Sequence, residues 1–422
     1  MIVISLLGQY GITGPQLGKA VSQVPMGVLV AQVPKLVART AFGKDPLPQV
    51  DQNLAGLPSQ EAGDLMVVHG RATLTRPRPR GTRPVRREPV RLLRGSAGRP
   101  TPTSTPEGPT RMPYGRITGW AVDLPEKVLT NADLARMVDT SDEWITERSG
   151  ISSRHVDGTV TEMSTVAGRA ALAMAGVSPN QVDLLLLATT TSDQMIPASS
   201  SVVQDNLGLS CGAVDLNAAC SGFVYGLVTA MQFVEGGMER VLLIGSDALS
   251  RFTNWEDRTT CVLFGDGAGA VVIERNGSHP SLLGWDLMSD GSAANLLYCE
   301  HDDKIVMHGQ EVFRKAVLAM EKAATTAMER AGTSIDDIAL VVPHQANIRI
   351  IDTALKRLGI PREKAALVLQ RTGNTSAASI PLALVDALDA GRVAPGDLLL
   401  LVGFGAGMTS AAAVLRWNPP EN

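Results

Sequence analysis

Three apolar runs, Leu184–Leu187, Val241–Ile244 and Leu398–Val402, contain no polar residue at all. Each is too short for a helix and shows no alternation, the pattern of a central strand covered by helices on both faces. Between such runs lie segments of helical period, among them 346–359 and 376–391. From residue 112 onward helix-period and strand-like segments alternate, which predicts an α/β fold. The pattern also repeats. The segment 175-AGVSPNQVDLLLLATT-190 matches 331-AGTSIDDIALVVPHQA-346, and 239-ERVLLIGSDA-248 matches 397-DLLLLVGFGA-406 in the same relative order. The chain from 112 therefore reads as one βα unit used twice, over about 112–280 and 281–422. A first strand is expected in 115-GRITGWAVDLP-125 and another in 366-ALVLQ-370. In the stretch 212-GAVDLNAACSGFVYGLVTAMQFVEGG-237 a short strand runs through a cysteine into a helix. Phe223, Val224, Tyr225, Leu227, Val228, Met231 and Phe233 leave that helix almost no polar face, so it is expected to be buried on all sides, with Gly236-Gly237 ending it.

Charge divides the chain in two. Residues 1–111 carry 15 Lys+Arg against 6 Asp+Glu (net +9), and the remainder carries 23 against 36 (net −13). Ten arginines and one glutamate fall within 71–100, among many prolines. Such a segment buries too little apolar surface to offset its ordering entropy, so 1–111 is expected to be a disordered Arg/Pro-rich extension, or an upstream region that is not part of the mature protein. The competing reading is an electrostatic arm at 71–100 for nucleic acid or an anionic membrane surface. No stretch reaches the ~18 consecutive apolar residues of a membrane span, and the start lacks the basic n-region of a secretory signal. The four cysteines, at 211, 220, 261 and 299, show neither a CxxC pair nor disulfide-like spacing, which points to a reducing, cytoplasmic setting.

Chemistry concentrates at strand-to-helix junctions, where open α/β sheets bind their ligands. Cys220 is expected at the N-terminus of a buried helix, where unpaired backbone N–H groups favour thiolate over thiol; a small buried hydrophobe is the alternative for this residue taken alone. His344 follows the strand 338–343, and Asn374 follows 366–370 through a Gly373 turn. Three junctions of a duplicated sheet thus carry Cys, His and Asn, a nucleophile-type constellation. The turn 403-GFGAGMTS-410 brings flexible Gly-rich backbone to the same edge, where amides can serve an oxyanion. The segment 264-FGDGAGA-270 leads into a strand rather than a helix, so it lacks the context of a dinucleotide fingerprint.

Cys220 in NAACSGF, His344 in VPHQAN, Asn374 in RTGNTSAAS, the GFGAG turn, and the segments 141-SDEWITERSGISSRH-155, 264-FGDGAGA-270 and 311-EVFRKAV-317 together resemble β-ketoacyl-acyl-carrier-protein synthase III, a thiolase-fold condensing enzyme. The resemblance covers 112–422 and nothing before it. It implies a layered αβαβα fold from two like halves, the nucleophile Cys in 112–280 and His and Asn in 281–422. It also implies an acyltransferase that loads a short acyl group from acyl-CoA onto Cys220 and condenses it with malonyl-acyl-carrier protein to initiate fatty-acid synthesis. No metal and no cofactor are called for, since acyl-CoA is a substrate.

The resemblance further implies that His344 and Asn374 stabilise an enolate, and that the amides of Cys220 and Ala406 hold the thioester oxyanion. Trp144 and Arg258 would sandwich the adenine of coenzyme A, with Arg148 near its phosphates and Asn347 on the pantetheine. Arg314, Arg349, Lys356 and Arg357 would dock the acidic carrier protein, and Ile196, across a homodimer interface, would complete the acyl pocket. Neither nucleic acid nor membrane is an implied partner. A starter-unit ketosynthase or acyltransferase of a polyketide pathway is the alternative within the same fold.

Overall fold

The computed structural model describes residues 114–277, 279–301 and 303–419. The expectations for residues 1–111, including the arm at 71–100, lie outside these. The first half runs β1 (Tyr114–Asp123), α1 (Asp142–Ser149), α2 (Val160–Ala175), β2 (Leu184–Ala188), α3 (Ser199–Asn206), β3 (Gly212–Leu216), α4 (Gly222–Glu235), β4 (Arg240–Ala248) and β5 (Asp266–Gly277). The second runs β6 (Leu282–Met288), α5 (Gly309–Ala331), β7 (Ile338–Pro343), α6 (Ile348–Leu358), α7 (Ser379–Asp389), β8 (Leu398–Gly405) and β9 (Thr409–Arg416).

Among the described residues two large sheets result, in the orders β1-β5-β4-β2-β3 and β7-β8-β9-β6, beside two short two-stranded ones. The apolar runs of the sequence form their parallel cores, β2 beside β4 and β7 beside β8, with Leu185 opposite Leu242 and Val341 opposite Leu400. In each sheet the second of these strands continues into antiparallel neighbours, β4–β5–β1 and β8–β9–β6. The repeated segments therefore occupy equivalent places, and the duplication read from sequence is a structural one.

Each sheet needs both faces covered, and five layers do this. Helices α2 and α3 lie outside the first sheet and α5 and α6 outside the second, while α4 and α7 touch strands of both sheets. Being in the middle, α4 buries Phe223, Val224, Leu227, Val228, Ala230, Met231 and Val234 in one cluster with Leu243, Val342, Leu384 and Leu401. The burial is not complete: Phe233, near the end of α4, is 42% exposed. In 264-FGDGAGA-270 the small residues have a packing cause, because a Cβ on Gly269 would stand 2.6 Å from Cβ of Pro381 in α7.

The strand expected at 366–370 does not form. One bridge joins Ala365 to Val341, after which Leu369–Thr372 is a short helical turn. The reason is Gln345, whose Oε1 accepts the backbone N–H groups of Val368 (3.0 Å) and Leu369 (3.2 Å) in place of a neighbouring strand. Among the described residues no helix is long and apolar enough to cross a membrane.

Candidate active site

The turn after β3 is the most constrained piece of backbone at the site. Ala219 has φ +48°, a left-handed value for a residue with a side chain, and such strain, of order 1–3 kcal/mol, persists only where the surroundings enforce it. They do so from both halves. Asn217 Oδ1 accepts Ala219 N–H at 3.1 Å, Thr409 Oγ1 donates to Ala218 O at 2.9 Å, and Ser221 Oγ donates to Thr409 O at 3.3 Å. Cys220 sits in the 3-10 turn Ala219–Ser221, immediately before α4.

The end of β8 lies against this turn, backbone to backbone. A Cβ on Gly405 would be only 2.5 Å from Cys220 N, so no other residue fits there without displacing the nucleophile. A Cβ on Gly403 would be 3.6 Å from both Cys220 O and Cβ of His344, which brings Cys220 and His344 together around one glycine. The glycines expected to lend flexibility instead permit close approach. Ala406 follows at the rim, half-buried.

His344 leaves β7 with its N–H on Val402 O (2.8 Å) and its ring edge-on to Phe404. Its Nδ1 lies 2.6 Å from Ser379 Oγ, which also accepts Gln345 N–H at 3.3 Å. With that N–H directed at its oxygen, Ser379 is free to give its own hydroxyl proton to Nδ1, the arrangement that puts the imidazole proton on Nε2, facing the site. Burial alone pushes the His344 pKa down to about 3 and keeps the ring neutral. Asn374 is likewise polarised. Its Oδ1 accepts Ser376 N–H at 2.9 Å, which leaves the Nδ2 donors, and its own N–H and C=O are tied to Leu263 O and Gly265 N. Beneath that bridge the fully buried Arg154 donates to Val262 O and Asn131 Oδ1. Both side chains thus present donors and hold their acceptors turned away.

The thiol departs from the sequence expectation. Burial, with the carboxylate of Asp247 adding to it, pushes Cys220 up to about 12. The helix terminus that favours a thiolate is outweighed by loss of water, and the resting pair is neutral thiol and neutral imidazole.

A second cluster lies where α1 meets α6. Arg148 and Arg258 both place their guanidinium carbons over the Trp144 ring, at 4.4 and 4.6 Å. A base between two planes needs them ~7 Å apart, twice a van der Waals contact, so the expected Trp144–Arg258 sandwich is closed and Arg258 must lift to open it. Asn347 caps α6 through Arg349 N–H and donates Nδ2 to Arg148 O at 2.9 Å, three residues from His344, leaving one amide hydrogen for a ligand. Arg349, Lys356 and Arg357 are exposed on α6, but Arg357 already pairs with Glu321 of α5 at 2.6 Å. Arg314, on α5, lines a cavity of about 380 Å³ with Ser292, Asn295 and Lys315. Ile196 stands apart on the loop after β2, 83% exposed beside Met195 at 77%.

Ser379, Gln345, Asp247 and Arg154 were not singled out from sequence. All four sit inside segments that were, TSAAS, HQAN, GSDA and SGISSRH, and only their long-range partners distinguish them.

Comparison with known proteins gives the same picture. Residues 214–291 match the family model for 3-oxoacyl-[acyl-carrier-protein] synthase III, and 328–417 match its C-terminal model. A β-ketoacyl-[acyl-carrier-protein] synthase III from Roseiflexus castenholzii is 46% identical over 325 residues, 72% of this chain and 98% of the relative. The crystal structure of a 3-oxoacyl-[acyl-carrier-protein] synthase III from Aquifex aeolicus superposes with TM-score 0.71 at 45% identity, covering 72% of this chain and all of that one. A priming β-ketosynthase from a polyketide biosynthetic pathway gives TM-score 0.70 at 34% identity, covering 74% of this chain and 98% of that one. From residue 114 to the end of β9 the chain has the thiolase-like fold, and it belongs to the β-ketoacyl-[acyl-carrier-protein] synthase III family of condensing acyltransferases.

Proposed function

We propose that the chain starts fatty-acid synthesis by condensing a short acyl group, taken from acyl-CoA, with malonyl-acyl-carrier protein. In the first step the Cys220 sulfur attacks the thioester carbonyl and its proton leaves with the coenzyme A sulfur, giving acyl-Cys220 and free coenzyme A. The Cys220 and Ala406 amides hold the oxyanion of the tetrahedral intermediate. In the second step malonyl thioester loses carbon dioxide, and His344 Nε2–H with Asn374 Nδ2–H donate to the enolate oxygen. The resulting carbanion attacks acyl-Cys220, Cys220 leaves as thiolate and regains a proton, and 3-oxoacyl-carrier protein departs. The observation that carries this reading is the donor polarity of Asn374, set by Ser376 N–H on its amide oxygen, beside a neutral His344 whose Nδ1 is engaged by Ser379. An enolate needs donors, and a general base at either position would need an acceptor. Intact-mass analysis after exposure to mixed acyl-CoAs tests the loading step: an adduct at Cys220 is expected, and its mass names the primer.

Trp144, Arg258, Arg148 and Asn347 would receive coenzyme A, with Arg258 swinging off the indole as adenine enters. Arg349, Lys356, Arg357 and Arg314 would steer the acidic carrier protein. Reversing Arg349 and Lys356 to Glu should raise the carrier-protein KM steeply at low salt while acyl-CoA loading stays as in wild type. Unchanged KM with impaired loading would assign these residues to coenzyme A instead. Arg357→Glu should act more weakly, because the native charge is already partnered by Glu321.

The working unit would be a homodimer. Met195 and Ile196 present an apolar loop to solvent, and β3, an edge strand of its sheet, leaves Val214 46% exposed. Such edges and patches call for a cover. With Ile196 closing the partner's acyl pocket, Ile196→Phe should shift preference toward acetyl-CoA, and unchanged chain-length selectivity would remove Ile196 from the pocket wall. The four free thiols suit a cytoplasmic enzyme. The priming ketosynthase match supports a second reading, a polyketide starter enzyme, which turnover with one carrier protein and not the other would decide.

A further inference from the structure

Asp247, at the end of β4, is fully buried and takes no part in the steps above. Its Oδ1 accepts from Thr189 Oγ1 (3.1 Å), Thr190 N–H (2.8 Å) and Thr191 Oγ1 (2.8 Å), and its Oδ2 accepts from Ala377 N–H (3.0 Å). The direction of the hydroxyls is fixed. Thr191 Oγ1 accepts Ala248 N–H at 2.8 Å and Thr189 Oγ1 accepts Thr191 N–H at 3.2 Å, so both turn their protons to the carboxylate. Burial raises the Asp247 pKa, and these contacts oppose it: two backbone N–H groups, which can only donate, and two hydroxyls turned toward the carboxylate hold it as an ionised acceptor.

The partners come from two distant places, one of them 130 residues of sequence from Asp247 itself. Thr189–Thr191 follow β2, and Ala377 belongs to the turn Ser376–Ala378 before α7. That turn is wedged into the site. A Cβ on Gly245 would lie 2.5 Å from Ala377 O, and a Cβ on Gly222, two residues after the nucleophile, would lie 3.5 Å from Ala377 Cβ. Ser376 has φ +49°, and its N–H is the group that turns the Asn374 amide. The Ser376 hydroxyl lies beside both the Cys220 sulfur and the Asp247 carboxylate, short of normal hydrogen-bond geometry with either.

We propose, on the reading of the site given above, that Asp247 is a positioning residue for the condensation step: its ionised carboxylate pins the Thr189–Thr191 turn of the first half to the Ser376–Ala378 turn of the second beside Cys220, and so fixes where the Asn374 donor stands relative to the sulfur. The route is short: Asp247 Oδ2 to Ala377 N–H, Ser376 N–H to Asn374 Oδ1, and Asn374 Nδ2 to the substrate. The same charge works against formation of a Cys220 thiolate. Around the sulfur, the strand 398–405 and the turns 376–378 and 406–408 carry no titratable side chain, the charged residues of α4 and β9 lie at their far ends, and His344 is neutral. Asp266, the other buried carboxylate at that sheet end, pairs opposite Ala248 and so faces the other side of the sheet.

The experiment uses Asp247→Asn, Thr191→Val and Thr191→Ser in the full chain. Three readouts are taken: acyl-Cys220 formation by intact mass, labelled carbon dioxide release from malonyl-carrier protein, and the pH dependence of iodoacetamide alkylation followed on the Cys220 peptide. An amide at 247 must point N–H groups at donors, so Asp247→Asn should lower decarboxylation ~10-fold or more relative to loading, part of the ~10²–10³ that outright loss of a donor costs. It should also move the alkylation midpoint to lower pH, which a purely structural role would not do. Thr191→Val, which keeps the charge, should lower the same ratio without moving the midpoint, and Thr191→Ser should restore it. A wild-type ratio with an unmoved midpoint in folded Asp247→Asn overturns the proposal. Should Asp247→Asn fail to fold, a wild-type ratio in Thr191→Val overturns it equally. If the unmutated protein neither loads nor decarboxylates, the functional reading falls, and the alkylation midpoints still decide the role of Asp247.

Discussion

Cys220→Ala should abolish acyl loading and condensation while malonyl decarboxylation continues at a measurable rate. The sulfur is the nucleophile of the turn, the Ser221 hydroxyl beside it being fully buried and directed at Thr409 O, and condensation has no electrophile without the acyl-sulfur bond. Enolate stabilisation asks nothing of that sulfur. The donors are His344 Nε2–H, held by Ser379 on the opposite ring nitrogen, and Asn374 Nδ2, held by Ser376 N–H on the amide oxygen. Both are anchored outside the Cys220 turn and should stay in place when the thiol goes. The reciprocal variants complete the test. His344→Ala or Asn374→Ala removes one donor from the enolate, typically worth ~10²–10³ in rate, and should leave acyl-Cys220 formation largely intact. The measurements are acyl-enzyme mass from acyl-CoA and labelled carbon dioxide from malonyl-carrier protein on each variant. If Asn374→Ala stops acylation and spares decarboxylation, the two roles are inverted.

That separation was legible in the sequence only in outline. Cys220, His344 and Asn374 stood out because each follows a segment with a strong local pattern, and most such patterns survive into the fold: β2, β4 and β8 form where the three apolar runs predict, and β7 forms over 338–343. What depends on distant residues was not legible. The run 366–370 has strand composition, yet its amides are taken by the Gln345 side chain and it turns into a helix. The acidity of Cys220 follows a helix terminus when read locally, but in the folded protein burial and Asp247 reverse it. Asp247 and Ser379 look like ordinary polar residues until partners 130 and 35 positions away are brought to them. The resemblance implies adenine between Trp144 and Arg258, and the sequence gives no sign that the two stand in direct contact without room for a base.

Gly405→Ala should cost ~10²–10³ in acyl loading, comparable to loss of an oxyanion donor, although it adds one methyl group and touches no side chain of the triad. The new Cβ would stand 2.5 Å from Cys220 N and 3.0 Å from Ala219 Cβ, and the first of these is backbone that cannot swing aside. Either β8 or the nucleophile turn must move, and Ala219 is already in a left-handed conformation with no slack to yield. Movement of either separates the Cys220 amide from the Ala406 amide, and a displacement near 1 Å is enough to cost ~10² in rate. Gly403→Ala is the matched control. Its Cβ would meet only the flexible tip of Ile380 at 3.3 Å, with Cys220 O and His344 Cβ at 3.6 Å, so loading should fall less than ~10-fold, about 1.4 kcal/mol in the barrier. Decarboxylation, which draws on His344 and Asn374, should persist in Gly405→Ala. Single-turnover loading rates, with thermal unfolding to confirm that each variant is folded, check the pair. Folded Gly405→Ala that loads at the wild-type rate would remove the Cys220 and Ala406 amides from oxyanion stabilisation.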